Sequence, residues 1–96
     1  MDAGRPDAVA ALLREAERAH AVYEADVLKG VYDEAWPRWY ATYAVEHGLG
    51  EIIGHEVGVD ELTTFLVESY AAFSAADPAP AEAWADHTAA RIAAEL

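Results

Sequence analysis

The sequence contains no cysteine, which removes disulfides, thiolate nucleophiles and cysteine-ligated zinc or iron–sulfur centres together. Positive charge is also scarce: six Lys and Arg stand against 18 Asp and Glu, a formal net charge of −12. A chain this acidic lacks the cations that displace counterions from a phosphate backbone, so direct nucleic-acid binding is not expected. Anionic membrane surfaces are disfavoured for the same reason. The shortage is uneven, since residues 1–30 hold six acids and four bases whereas residues 31–96 hold twelve acids and only Arg38 and Arg91. No segment approaches the roughly 18 uninterrupted apolar residues of a membrane span, and MDAGRPDAVAALLREAERAH at the start has no signal-type apolar run, which makes a cytoplasmic location the expectation. Catalytic signatures are missing as well. There is no GxxxxGK[ST] loop, no GxSxG elbow, no HExxH helix and no EF-hand loop, and the glycines at 48, 50, 54 and 58 fit no dinucleotide fingerprint. No cofactor is expected.

The chain of 96 residues suits one domain, 1–96, with one modest core. Hydrophobic residues are 54% of it, but many are alanine, so large core-forming side chains are few. Alanine richness with Arg favoured over Lys suits a GC-rich bacterial genome, which speaks to codon usage and not to activity. Periodicity predicts an all-α fold, a small bundle of four helices over 7–28, 37–47, 61–76 and 80–95, after a frayed start at 1–5. Val9, Leu12, Leu13, Ala16, His20, Tyr23 and Val27 recur at spacings of three and four and mark the buried stripe of the first helix. Lys29 and Gly30 stop it, and Pro37 opens the second, whose inner face reads Trp36, Tyr40, Tyr43 and His47. Asp60 is placed as N-cap of the third helix, with Leu62, Phe65, Leu66, Ser69, Tyr70 and Phe73 facing inward. Pro80 opens the fourth, where Trp84, Thr88, Ile92 and Leu96 share a face beside Ala85, Ala89 and Ala93. The Gly-rich connection at 48–59 reads as a short helical turn carrying Leu49, Ile52 and Ile53 inward, followed by a loop, with a small hairpin about a Gly54-His55 turn as the alternative.

The densest chemistry lies in WPRWYATYAVEH, residues 36–47, which holds two of the three tryptophans and two of the five tyrosines. Antiparallel packing of the first two helices would bring His20 and Tyr23 to Tyr40, Tyr43 and His47 beside Trp36. Tyrosine hydroxyls, imidazoles and an indole wall suit a small aromatic or carboxylate ligand, or acid–base chemistry near neutral pH. The plainer reading makes these rings core with a polar tip. Trp39 and Arg38 turn toward an edge, where an aromatic next to an arginine is a common interface anchor. Glu17, His20 and Glu24 fall on successive turns of one helical face and form a candidate carboxylate–imidazole metal site, although a di-iron bundle needs a second such set.

Three functional expectations follow. The first is a small acidic accessory or regulatory protein acting through protein–protein contacts as a homodimer. The second is a small-molecule-binding protein or small enzyme with a His- and Tyr-lined pocket between the first two helices. The third is the metal site. The acidic surface from Glu46 to Asp86 serves solubility, or docks on a basic partner as a mimic of a nucleic-acid backbone.

Overall fold

The computed structural model describes residues 4–77 and 81–96. Five helices run in order: α1 (Gly4–Asp26), α2 (Trp36–Glu46), α3 (Leu49–Ile53), α4 (Val59–Ala75) and α5 (Trp84–Glu95). The predicted all-α bundle is the observed architecture, and the described residues form no strand. None of their helices is long and apolar enough to cross a membrane. α1 packs mainly on α5 and α2 mainly on α4; α4 meets α5, and α3 closes one end against α1 and α2. The resulting slab measures 43 × 34 × 20 Å, and its thin dimension accommodates two helix layers at about 10 Å each.

The core is aliphatic. Leu13, Leu49, Leu62, Leu66 and Ile92 are its largest fully buried hydrophobic side chains, and Phe65 is its one aromatic ring. Each such Leu or Ile contributes about 1.5–3 kcal/mol by leaving water. α1 buries Val9, Leu12, Leu13, Ala16 and His20 as its periodicity predicts, whereas Val27 is 60% exposed because the helix ends at Asp26. There the chain turns through positive φ at Lys29 (56°) and Gly30 (85°), and the Gly30 N–H donates to the Glu24 carbonyl at 2.8 Å. Gly4 and Arg5, expected to fray, already belong to α1.

α2 corrects the sequence reading most. Its buried residues are Ala41 and Ala44, both 0% exposed, and not the aromatics expected on its inner face. The methyl side chains let α2 lie close to its neighbours, which leaves no room for indoles between helices. The connection after it is the helical turn and not the hairpin: α3 is bracketed by Gly48 (φ 101°) and Gly54 (φ 91°), a backbone state that side chains with a Cβ rarely adopt, and it buries Leu49 and Ile53. Gly58, not Asp60, is the N-cap of α4; Asp60 lies in the first turn and pairs with Arg38 at 2.7 Å. α4 buries Leu62, Phe65, Leu66 and Ser69 but leaves Tyr70 49% exposed and Phe73 half-buried. α5 starts at Trp84, later than expected, and the helix opening placed at Pro80 lies outside the described residues.

Two polar contacts join segments distant in sequence. The fully buried hydroxyls of Ser69 and Thr88 share a 2.8 Å hydrogen bond across α4 and α5. Thr88→Val strands a buried hydroxyl and should cost about 1–2 kcal/mol in urea unfolding, whereas adding Ser69→Ala should restore most of that loss. Exposed His55, in the α3–α4 connection, reaches the carbonyls of Leu96 and Glu56 with its two ring nitrogens. Only the imidazolium donates from both nitrogens, so these bonds raise its pKa above the ordinary 6.5. The contribution is complete below the unfolded value and is lost as pH rises through the raised folded value. Amide exchange at the C-terminal turn of α5 should therefore accelerate on that rise beyond the intrinsic pH dependence, and His55→Ala should remove the excess.

Candidate functional site

The aromatic residues of α2 recur at 36, 39, 40 and 43, offsets of three and four that place them along one helical stripe. That stripe lies one residue, about 100°, from the buried Ala41 and Ala44. It therefore runs along the edge of the core, where the rings split into two groups. Trp36 and Tyr40 lean toward α4 and α5, with Trp36 meeting Tyr70 at 5.2 Å and 71° and Trp84 at 5.7 Å and 85°. Tyr40 meets Trp84 at 5.8 Å and 68° and Trp36 at 5.5 Å and 74°. Trp39 lies 4.9 Å from the His20 ring and 5.7 Å from Tyr23, with Tyr43 stacked on it at 5.6 Å and 15°, and Tyr40 links the two groups, 5.1 Å and 69° from His20 as the sequence reading expected.

The single pocket expected between the first two helices is thus two hollows. One, of about 340 Å³, is walled by Trp36, Tyr40, Tyr70 and Trp84, carries Glu17, His20 and Glu24 on its α1 side, and has Tyr32 at its rim. The other, of about 380 Å³, lies between Tyr23, Asp33, Arg38, Trp39 and Tyr43. His47 lines neither; exposed at the end of α2, it stacks on Tyr43 at 3.8 Å and contacts the Tyr43 carbonyl through Nδ1 at 2.8 Å. His20 and His47 therefore do not share a cavity. A wider depression of about 840 Å³ between Val45 and Val59 is lined by four glycines, with Glu46, Glu51, His55 and Glu56 and no Trp, Tyr or Phe.

His20, 5% exposed, is held by Asp33, with Nε2 2.8 Å from Oδ2, and approached by Glu24, with Nδ1 3.6 Å from Oε1. The other Asp33 oxygen accepts the Ala35 N–H at 2.9 Å, at the N-cap of α2, while the Asp33 N–H donates to Glu24 at 3.3 Å. Asp33 thus joins α1 to the start of α2 and fixes the Tyr32 backbone at the rim of the cleft. Its position two residues before the N-cap is an Asx-turn signal in the sequence. Tyr70 and Trp84, likewise not placed at the site from sequence, lay on stripes expected to face inward.

Among the described residues no group of three or more His, Asp or Glu side chains is placed to hold a metal ion, the expected set of Glu17, His20 and Glu24 included. His20 is already committed to Asp33, and Glu17 sits among Arg14, Asp86 and Arg18, with Arg14 itself paired to Asp86. Burial is the main reason the Glu17 carboxyl titrates above its ordinary value. Burial, followed by the fields of Glu17 and Glu24, pushes the Tyr40 hydroxyl up to about 12. The buried Trp84 Nε1 has no hydrogen-bond partner, and the perpendicular rings beside it offer π faces as weak acceptors. Arg38, expected at an interface edge, forms its exposed ion pair with Asp60, while Trp39 is half-buried against His20.

No protein-family model matches the chain, and no curated protein or solved structure is similar enough to lend it a family.

Lys29 is the one lysine, exposed in the α1–α2 connection that Asp33 anchors. Asp33→Ala should raise the rate of lysine-specific proteolysis at Lys29 several-fold, while the exposed-site control Glu34→Ala should leave it unchanged. Equal rates in the two variants would show that Asp33 does not anchor the segment.

Proposed function

We propose that this protein is a small-molecule-binding protein whose site is the cleft between Trp36, Tyr40, Tyr70 and Trp84. The observation that carries this reading is the position of the aromatic residues: no Trp or Tyr of the chain is fully buried, and the core consists of aliphatic side chains around Phe65. Tyr40, Tyr43 and Trp84 pack against the edge of that core, but Trp36 and Tyr70 do not belong even to its margin. Rings that serve only as core filling belong inside. A concave patch of aromatics with a few polar groups on one side, about 340 Å³ in volume, is the usual composition of a ligand site. An acid–base enzyme is less well supported, because the buried His20 is engaged by Asp33 and approached by Glu24, which gives it a structural role.

A second reading, an accessory protein acting through protein contacts or as a homodimer, draws on a different surface. Val27, Val31 and Tyr32 are 60%, 66% and 68% exposed around the α1–α2 connection. Apolar groups gathered at one end of a molecule suit a partner surface.

Fragment screening by chemical-shift perturbation separates these readings. Weak hits should shift the indole signals of Trp36 and Trp84, and Tyr70→Ala, at an exposed position outside the core, should weaken them about ten-fold without loss of helicity. Hits scattered over the surface, or confined to residues 45–59, would sink the cleft reading. Concentration-dependent sedimentation that Tyr32→Ser abolishes would favour the contact reading, and a monomer at all concentrations would count against it.

A further inference from the structure

The cleft that the proposed function rests on also indicates the charge of what would fill it. Its four wall rings meet at 74° (Trp36 with Tyr40), 71° (Trp36 with Tyr70), 85° (Trp36 with Trp84) and 68° (Tyr40 with Trp84). Rings stacked in parallel cover each other's faces. Rings set near right angles form a box, in which the electron-rich face of one ring stands beside the edge of the next. On the α1 side the box is completed by Glu17 and Glu24, and no Lys or Arg lines it. The one basic side chain there, His20, is turned to Asp33. Both halves of the lining therefore present negative potential, the ring faces through their quadrupoles and the carboxylates through full charge. Burial first, and then the charges of Glu17 and Glu24, raise the Tyr40 hydroxyl within the box.

We propose that the cleft binds a small organic ammonium ion, its cationic head against the faces of Trp36, Tyr40, Tyr70 and Trp84 and within the field of Glu17 and Glu24. An anion would meet two carboxylates, while Arg14 and Arg18 near Glu17 lie outside the lining. A neutral apolar ligand would gain from the rings but nothing from the carboxylates. A methylated ammonium suits the box because its charge is spread over weakly hydrated methyl groups, so it loses little hydration on entering and gains from the ring faces. The volume of about 340 Å³ accommodates a whole small cation, which is why a free small molecule is favoured over the tip of a peptide side chain. The net charge of −12 raises the local concentration of cations around the protein and assists capture.

The test titrates the full chain with tetramethylammonium, choline and 3,3-dimethylbutan-1-ol, the last having the shape of choline without its charge, and follows the tryptophan indole signals. Tetramethylammonium and choline should shift Trp36 and Trp84, with the neutral alcohol weaker by about ten-fold or more. Combined Glu17→Gln and Glu24→Gln should reduce choline affinity several-fold while leaving the alcohol unchanged; glutamine keeps an acceptor for the Asp33 N–H now bonded to Glu24. Tyr70→Ala should weaken both ligands, and circular dichroism checks that each variant is folded. If the alcohol binds as tightly as choline, and Tyr70→Ala weakens both, the cation assignment is wrong while the binding-protein reading stands. If neither ammonium probe nor any neutral fragment perturbs the four rings, both fall together. A trimethyllysine peptide that binds where choline and tetramethylammonium do not would overturn the assignment to a free cation.

Discussion

Close approach through alanine is the constraint on which the arrangement of this molecule depends. Ala41 and Ala44 of α2, with Ala85 and Ala89 of α5, are buried at helix contacts where other bundles place leucine. Short side chains let helices approach closely, and the indoles and phenols of α2 then have no place between them. Aliphatic side chains from α1, α3 and α4, with Ile92 of α5, fill the interior that remains. The indoles and phenols collect along the margin, and the cleft exists because they gather where α2 passes α4 and α5.

A second, polar device holds that margin in place. A helix that stops at Asp26 and another that starts at Trp36 leave a connection carrying two positive-φ residues, Lys29 and Gly30, and several exposed apolar groups. Such a segment has little hydrophobic burial to order it. Asp33 supplies the order instead, using one oxygen for His20 and the other for the backbone at the start of α2. The histidine that reads as a catalytic candidate in the sequence is thus the inner anchor of a turn.

The class of fold was legible from periodicity, as were the buried faces of α1 and α5 and most of that of α4. Those helices carry their largest aliphatic groups on the side that faces the core, so period and hydrophobicity agree. In α2 they disagree: the stripe at 36, 39, 40 and 43 is the more hydrophobic, but the stripe through 41 and 44 is the one that fits. Period alone cannot choose between faces one residue apart, and steric fit decided for alanine. The same shift explains the site. A reading that turned the rings inward toward α1 grouped His47 with His20, whereas their marginal position joins Trp36 and Tyr40 to Tyr70 and Trp84, separated from them by dozens of residues along the chain. Asp33 was missed because its role depends on a side-chain contact across a loop, for which hydrophobic pattern carries no signal.

Placing the rings outside the core also separates two selective pressures that most small domains must satisfy with the same residues. Replacing Trp36 or Tyr70 would alter the lining of the cleft at positions where few core contacts are at stake, whereas Ala41 and Ala44 tolerate almost no enlargement. Related chains built on this frame would then keep their small residues nearly fixed while the wall of the cleft varied. In the binding role proposed for the cleft, recognition would diversify around a fixed skeleton of alanines.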